Sequence, residues 1–184
     1  MPNTYSTQND LLLNNLLEFY KVNNNMERMI NIINGESRIS LRIIDWFATN
    51  YAKKYFTIYQ SPGKANRFKV YNDYKLKLKA YSKRRFDPFC RWDRISVPYK
   101  DNTQVQTTIG QLNFFKWAIE NNVIEYIELN YALIEKDMNS RNSTAKNKGP
   151  LDKNNKTRKK REELSVSASR SIKKEKVEII VNFD

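Results

Sequence analysis

The stretch Thr108-Ile-Gly-Gln-Leu-Asn-Phe-Phe-Lys-Trp-Ala-Ile119 decides the fold class. Thr108 and Gln111 stand at the spacing of a capping box: the N-cap hydroxyl accepts a first-turn amide while the Gln side chain reaches back. Leu112, Phe115, Ala118 and Ile119 then recur at helical spacing. Asn121-Asn122 interrupts the run. A further helix is predicted from Val123 to about Met138, with Ile124, Ile127, Tyr131 and Ile134 in register.

Upstream the same period returns. Ser40 is placed to cap a helix from Leu41 to about Tyr55. Its Ile43, Ile44, Phe47, Tyr51 and Ala52 form a stripe that Trp46 and Ala48 widen, and a helix apolar on most of its circumference is buried on most sides. Asp10–Tyr20 reads as a short helix with Leu12, Leu13, Leu16, Leu17 and Tyr20 on one face. Met26–Ile33 reads as a second, stopped by Gly35. Phe56–Tyr59 and Arg67–Tyr71 read as an antiparallel pair around Ser61-Pro62-Gly63. The run Tyr74-Lys-Leu-Lys-Leu-Lys-Ala-Tyr81 fits a strand by alternation. As a helix, it puts Tyr74, Leu78 and Tyr81 on one face and Lys75, Lys79 and Lys83 on another. Helix is favoured, because Asn72-Asp73 can start it and β-branched residues are absent. Asp87-Pro88 ends it, and Ile95–Tyr99 reads as a short strand. The expected fold is α+β: one mostly helical domain over residues 9–140 with a small β-hairpin or sheet, after a flexible terminus over 1–8.

From Asn139 the hydrophobic period stops. Residues 141–176 carry clustered Lys and Arg among Asn, Ser, Thr, Gly and Pro. Such a segment cannot bury enough apolar surface to offset its ordering entropy, so it reads as a disordered basic tail. Residues 177–184 contain Val177-Glu-Ile-Ile-Val-Asn-Phe183, a strand-like run that can dock on the domain.

The chain has 184 residues and a formal charge of +13. That balance favours nucleic acid or an anionic surface as a partner, although part of the lysine content fits an AT-rich coding bias. There is one cysteine, Cys90, and no histidine. Intramolecular disulfides, a single-chain Cys/His zinc site and triads with a histidine base are therefore excluded. The first residues lack a secretory pattern, and no apolar run approaches the roughly 20 residues of a membrane span. The expectation is a soluble intracellular protein, not secreted and without membrane insertion.

Candidate phosphate contacts in the tail are Arg158, Lys159, Lys160 and Arg161, with Lys173 and Lys174 behind them. The bland alternative is a solubilising linker. Ser165, Ser167, Ser169 and Ser171 alternate there; phosphorylation would cancel charge, or they face outward from an extended strand. Lys75–Trp92 interleaves cations with Tyr, Phe and Trp, the composition of a single-strand site; alternatively the rings are core and the cations solvated. Arg84, Arg85, Arg91 and Arg94 are the candidates for a folded-domain patch, since the guanidinium fork suits phosphate. Asp45, Asp73, Asp87, Asp93 and Glu120 have no metal-ligand spacing, and Cys90 reads as a small buried hydrophobe. No catalytic, cofactor or metal motif stands out.

Four strings carry a resemblance: Ile43-Ile-Asp-Trp-Phe-Ala-Thr-Asn-Tyr-Ala-Lys-Lys54, Tyr81-Ser-Lys-Arg-Arg-Phe-Asp-Pro-Phe-Cys-Arg91, Thr107-Thr-Ile-Gly-Gln-Leu-Asn-Phe-Phe-Lys-Trp-Ala-Ile119 and Leu164-Ser-Val-Ser-Ala-Ser169. Together they resemble a family of uncharacterised proteins from giant DNA viruses, over roughly residues 38–184. The resemblance implies a viral context, and with it a place in host cytoplasm, nucleus or virion, and transfers no activity. The leading expectation is non-enzymatic, non-specific binding of DNA or RNA in viral genome packaging or expression. The alternatives are a structural or assembly protein of the virion, engaging other virion proteins, and a metal-dependent nuclease.

Overall fold

The computed structural model describes residues 7–61, 66–100, 103–146 and 174–176. In chain order it runs α1 (Gln8–Tyr20), α2 (Asn25–Asn34), α3 (Leu41–Trp46), a π-helical turn (Phe47–Tyr51) and α4 (Ala52–Lys54). Next come β1 (Ile58–Gln60), β2 (Arg67–Lys69), α5 (Val70–Arg85), β3 (Arg94–Pro98) and β4 (Thr103–Thr108). Last are α6 (Ile109–Glu120), α7 (Val123–Leu129), α8 (Tyr131–Lys146) and β5 (Lys174–Lys176). The architecture is the expected mostly helical α+β fold.

Helix α6 is the centre of the packing. It touches α1, α5, α7 and β4. Leu112, Phe114, Phe115 and Ala118 are fully buried, and Trp117 nearly so. Each of the large side chains among them contributes about 1.5–3 kcal/mol relative to exposure. Thr108 is the N-cap, and its hydroxyl accepts from the Gln111 amide at 3.1 Å. The other half of the capping box does not form. The Gln111 side chain instead donates to the Pro88 carbonyl at 2.9 Å and accepts from the Thr107 hydroxyl at 2.9 Å. Asn113 donates to the Arg85 carbonyl, also at 2.9 Å. The two buried amides strap the segment after α5 onto α6.

Elsewhere the chain departs from its local signals for identifiable reasons. The predicted Leu41–Tyr55 helix is interrupted by the π-helical turn, where the Ala52 N–H donates to the Phe47 carbonyl, five residues back. Thr49 sits at this turn, and its hydroxyl takes the Asp45 carbonyl at 2.6 Å. Such back-bonding competes with the regular helical ladder. Phe56 does not begin a strand. It has φ 48° and an 83% exposed side chain, and pairing starts at Ile58. Asn72 is not a cap, because β2 runs straight into α5 and the Val70 N–H donates to the Thr57 carbonyl. The helix predicted over Val123–Met138 breaks at Asn130. The Asn130 side chain donates to the Tyr126 carbonyl at 2.9 Å and so competes with the helix. After the break, α8 continues to Lys146.

Two antiparallel sheets form. β1 pairs with β2 through Tyr59↔Phe68. The second has the order β3-β4-β5, with Val97↔Val105 and Val105↔Lys174 in register. β4 has no counterpart in the sequence reading. β5 lies just before the predicted terminal strand and inside the stretch read as disordered; residues 177–184 lie outside the described residues.

Candidate nucleic-acid interface

Helix α5 has one fully buried side chain, Val70. Tyr74, Leu78 and Tyr81 pack against the core as half-buried residues, the face predicted for them. Tyr74 lies 5.9 Å from Trp117 and 5.9 Å from Phe86, ring to ring. Phe86 in turn meets Phe114 at 5.3 Å and Trp117 at 5.7 Å. The opposite face exposes Lys75, Leu76, Lys79 and Lys83. The alternating sequence is therefore a helix, because the rings at helical spacing find an aromatic cluster to join.

At Phe86 and Phe89 the alternative reading of core rings holds. Phe86 and Phe89 are 1% and 3% exposed, so neither offers a face to a base. Among the described rings after α5, Trp92 is the exposed one, at 44%.

The four arginines are drawn to one region but differ in circumstance. Arg84 is exposed and donates to the exposed Asp93 at 2.5 Å, which raises its pKa further. Arg85 is half-buried, with its carbonyl held by Asn113. The Arg91 fork is committed to the buried Asp87 by two bonds of 3.0 Å, and its guanidinium lies over the Phe89 ring. Burial pushes the Asp87 carboxyl up against the opposing pull of Arg91. Arg94 opens β3 and is exposed. Burial also raises the Cys90 thiol, partly offset by the charge of Arg94. Of the tail candidates, the Lys174 backbone lies in β5, opposite Val105. Arg158, Lys159, Lys160, Arg161 and Lys173 lie outside the described residues.

The approach of this region to α6 depends on two backbone features. Ser82 has φ 59° and ψ 170° and breaks α5 before Lys83, a conformation populated almost only by glycine. Gly110 lets the Arg84 carbonyl come close; a Cβ there would lie 2.9 Å from it. The Asp87 N–H then donates to the Gly110 carbonyl at 3.1 Å.

The acidic residues weighed as metal ligands are dispersed. Asp73 accepts the Trp117 indole N–H at 2.6 Å, Asp87 holds Arg91, Asp93 holds Arg84, and Glu120 lies 3.8 Å from Lys116. Among the described residues no three His, Cys, Asp or Glu gather to hold a metal ion.

Sequence reasoning missed two groups. Arg67 and Lys69, exposed on β2, extend the positive surface of α5. Asp137, itself buried, sits at the centre of a knot of polar partners that reach the surface. It accepts from Trp46 Nε1 at 3.0 Å, Lys54 Nζ at 2.8 Å and the Tyr55 hydroxyl at 3.2 Å, with Arg141 Nε at 3.7 Å. Burial opposes ionisation of its carboxyl, but the bonds from Lys54 and Trp46 and the charge of Arg141 prevail and lower its pKa. The signal was present: Asp137 continues the Ile127, Tyr131, Ile134 stripe, an acid on an apolar face.

No helix among the described residues is long and apolar enough to cross a membrane. A model for a family of unknown function, DUF7197, matches residues 3–184. An uncharacterised protein of Acanthamoeba polyphaga mimivirus is 50% identical over 127 residues, which is 65% of this chain and 48% of that relative. The matched stretch thus spans about half the length of the curated relative. No solved structure matches the chain significantly.

Proposed function

The chain belongs to the DUF7197 family of unknown function, with a giant-virus relative, and from that premise we propose that it is a non-enzymatic nucleic-acid-binding protein. The outer face of α5 and the basic tail hold the phosphate backbone without reading sequence, in genome packaging or expression. One observation carries this reading. From Arg67 to Arg85 there are eight Lys or Arg and one acid, Asp73. That acid is turned inward to Trp117. Lys75 and Lys79 stand one helical turn apart on the exposed side, about 6 Å along the axis. Lys83 and Arg84 lie beyond the Ser82 break. Arg84 is neutralised by an exposed carboxylate that a phosphate can displace, whereas Arg91 serves the fold.

The test is the salt dependence of binding to duplex DNA. Lys75→Ala with Lys79→Ala should flatten the slope of log affinity against log salt by about 1.8, at about 0.9 per lost contact. Replacing Arg158, Lys159, Lys160 and Arg161 by Ala should flatten it by about 3.6 if all four touch phosphate. Absence of binding by the wild-type protein at low salt sinks the proposal.

A second reading, a structural or assembly protein of the virion, draws on the 83% exposed Phe56, beside Tyr55 at 50% and Ile58 at 46%. Exposed apolar clusters mark protein contacts. Association that ignores salt and fails on Phe56→Ser would favour it.

A further inference from the structure

A cleft of about 480 Å³ opens between α1, α5 and α6, with Lys77 of α5 on its wall. We propose that it accepts one nucleotide of a single strand, base inward, while the neighbouring phosphates track the exposed face of α5. This rests on the nucleic-acid reading and narrows it to single strands.

The volume falls within the roughly 300–1,000 Å³ of small-ligand sites. The walls provide what a nucleotide needs. Tyr81, half-buried, and Trp117, 3% exposed, both line the cleft, so Tyr81 is the ring available to a base. Tyr81 lies near-parallel to Phe86, 23° between planes at 6.4 Å. A ring held in a fixed plane offers a stacking surface at little entropic cost. The polar groups suit a base edge. Asn113 gives its amide to the Arg85 carbonyl, which leaves its oxygen as an acceptor. Asn15 accepts from Lys116 at 2.6 Å, which leaves its amide as a donor. Lys77 and Lys116 supply the positive charge. The one acid on the wall, Glu120, lies 3.8 Å from Lys116 and is offset by it. Lys77 differs from the other lysines of α5 in facing this cleft, so one helix presents cations both to a backbone and to the site beside it.

The experiment compares a dodecathymidylate strand with a duplex hairpin by fluorescence anisotropy, for wild type and two variants. Lys77→Met removes a cleft charge while keeping the stem. Asn15→Phe, at an exposed position of α1, puts a ring across the mouth. Each should weaken strand binding about tenfold and leave duplex binding within about twofold. Equal loss on both probes, or loss on neither, overturns the proposal while leaving the α5 backbone reading intact. If wild type binds neither probe, the underlying reading has failed instead. A third arm adds thymidine monophosphate alone. Tight binding of the free nucleotide, abolished by Lys77→Met, with no preference of the protein for strand over duplex, would overturn the strand proposal by making the cleft a small-metabolite site. Circular dichroism of both variants must match wild type; if Asn15→Phe alone is misfolded, Lys77→Met decides.

Discussion

Two residues adjoining the α5–α6 contact test how tightly it is built. Gly110→Ala would set a Cβ 2.9 Å from the Arg84 carbonyl, a backbone atom with no rotamer to escape by. The expected cost is about 1–3 kcal/mol, as for overpacking elsewhere, read as a lower urea midpoint. Ser82→Gly should do the reverse. Its conformation costs of order 1–3 kcal/mol for a non-glycine residue, against about 0.5–1 kcal/mol of added unfolded-state entropy. A net gain in melting temperature is expected, and a clear loss would show that the Ser82 side chain has a role beyond its backbone. Asp137 gives a pH signature. Its folded pKa is lowered by Lys54, Trp46 and Arg141 in spite of burial. The stability it contributes is therefore present above the unfolded value of about 3.9 and is lost as pH falls through the folded value. Asp137→Asn should cost about 1–3 kcal/mol at pH 7 and progressively less as pH falls below the unfolded value, by urea unfolding at pH 7 and at acid pH. A cost that does not fall at all on acidification would mean that the charge is not what matters. Asp87 has the opposite sign: burial raises its folded pKa, so its contribution becomes more favourable as pH falls. The place of Asp137 on an apolar face was legible in the sequence, but its partners Trp46, Lys54 and Tyr55 come from other elements, and the burial of Asp87 is supplied by the assembled fold.

At the scale of elements, several local signals were legible. Ser40 and Gly35 act as the cap and the stop expected of them, the former accepting the Ile43 amide and the latter with φ 77°. Thr108 caps α6, and Thr108→Ala should cost about 1 kcal/mol. The core of α6 is the stronger test. Phe115 is fully buried, so Phe115→Ala should cost about 3–5 kcal/mol in chemical unfolding. A loss below about 1 kcal/mol would put that ring at the surface. What local signals could not supply was the competition between neighbours. Gln111 had a capping role available and took the Pro88 carbonyl instead. β4 went unread because its Thr103-Gln-Val-Gln-Thr-Thr108 has a single strongly apolar residue, and its strand state rests on pairing with β3 and β5. The cleft was equally hidden, since α1, α5 and α6 are far apart in sequence and each contributes only part of its wall.

For the whole molecule, the question is how far the folded unit depends on residues beyond α8. The last buried hydrophobic residue described is Met138. Residues 174–176 contribute backbone pairing to β4, with Thr103↔Lys176, Gln104↔Glu175 and Val105↔Lys174 in register. A chain truncated after Lys146 keeps every described core side chain and loses a three-residue ladder. Net backbone hydrogen bonds are worth about 0.5–1.5 kcal/mol each, so the loss is a small fraction of the roughly 5–15 kcal/mol typical of a domain. The expected outcome is a cooperative thermal transition at a somewhat lower temperature. β4 then becomes an edge strand with unpaired amides and carbonyls, a template for a second copy. Light scattering should therefore show more self-association in the truncated protein than in the full chain, and Gln104→Pro should suppress it by removing a donor from that edge. A molten or insoluble truncated protein would show that residues beyond Lys146 supply core packing, and the folded unit would have to be redrawn to include them.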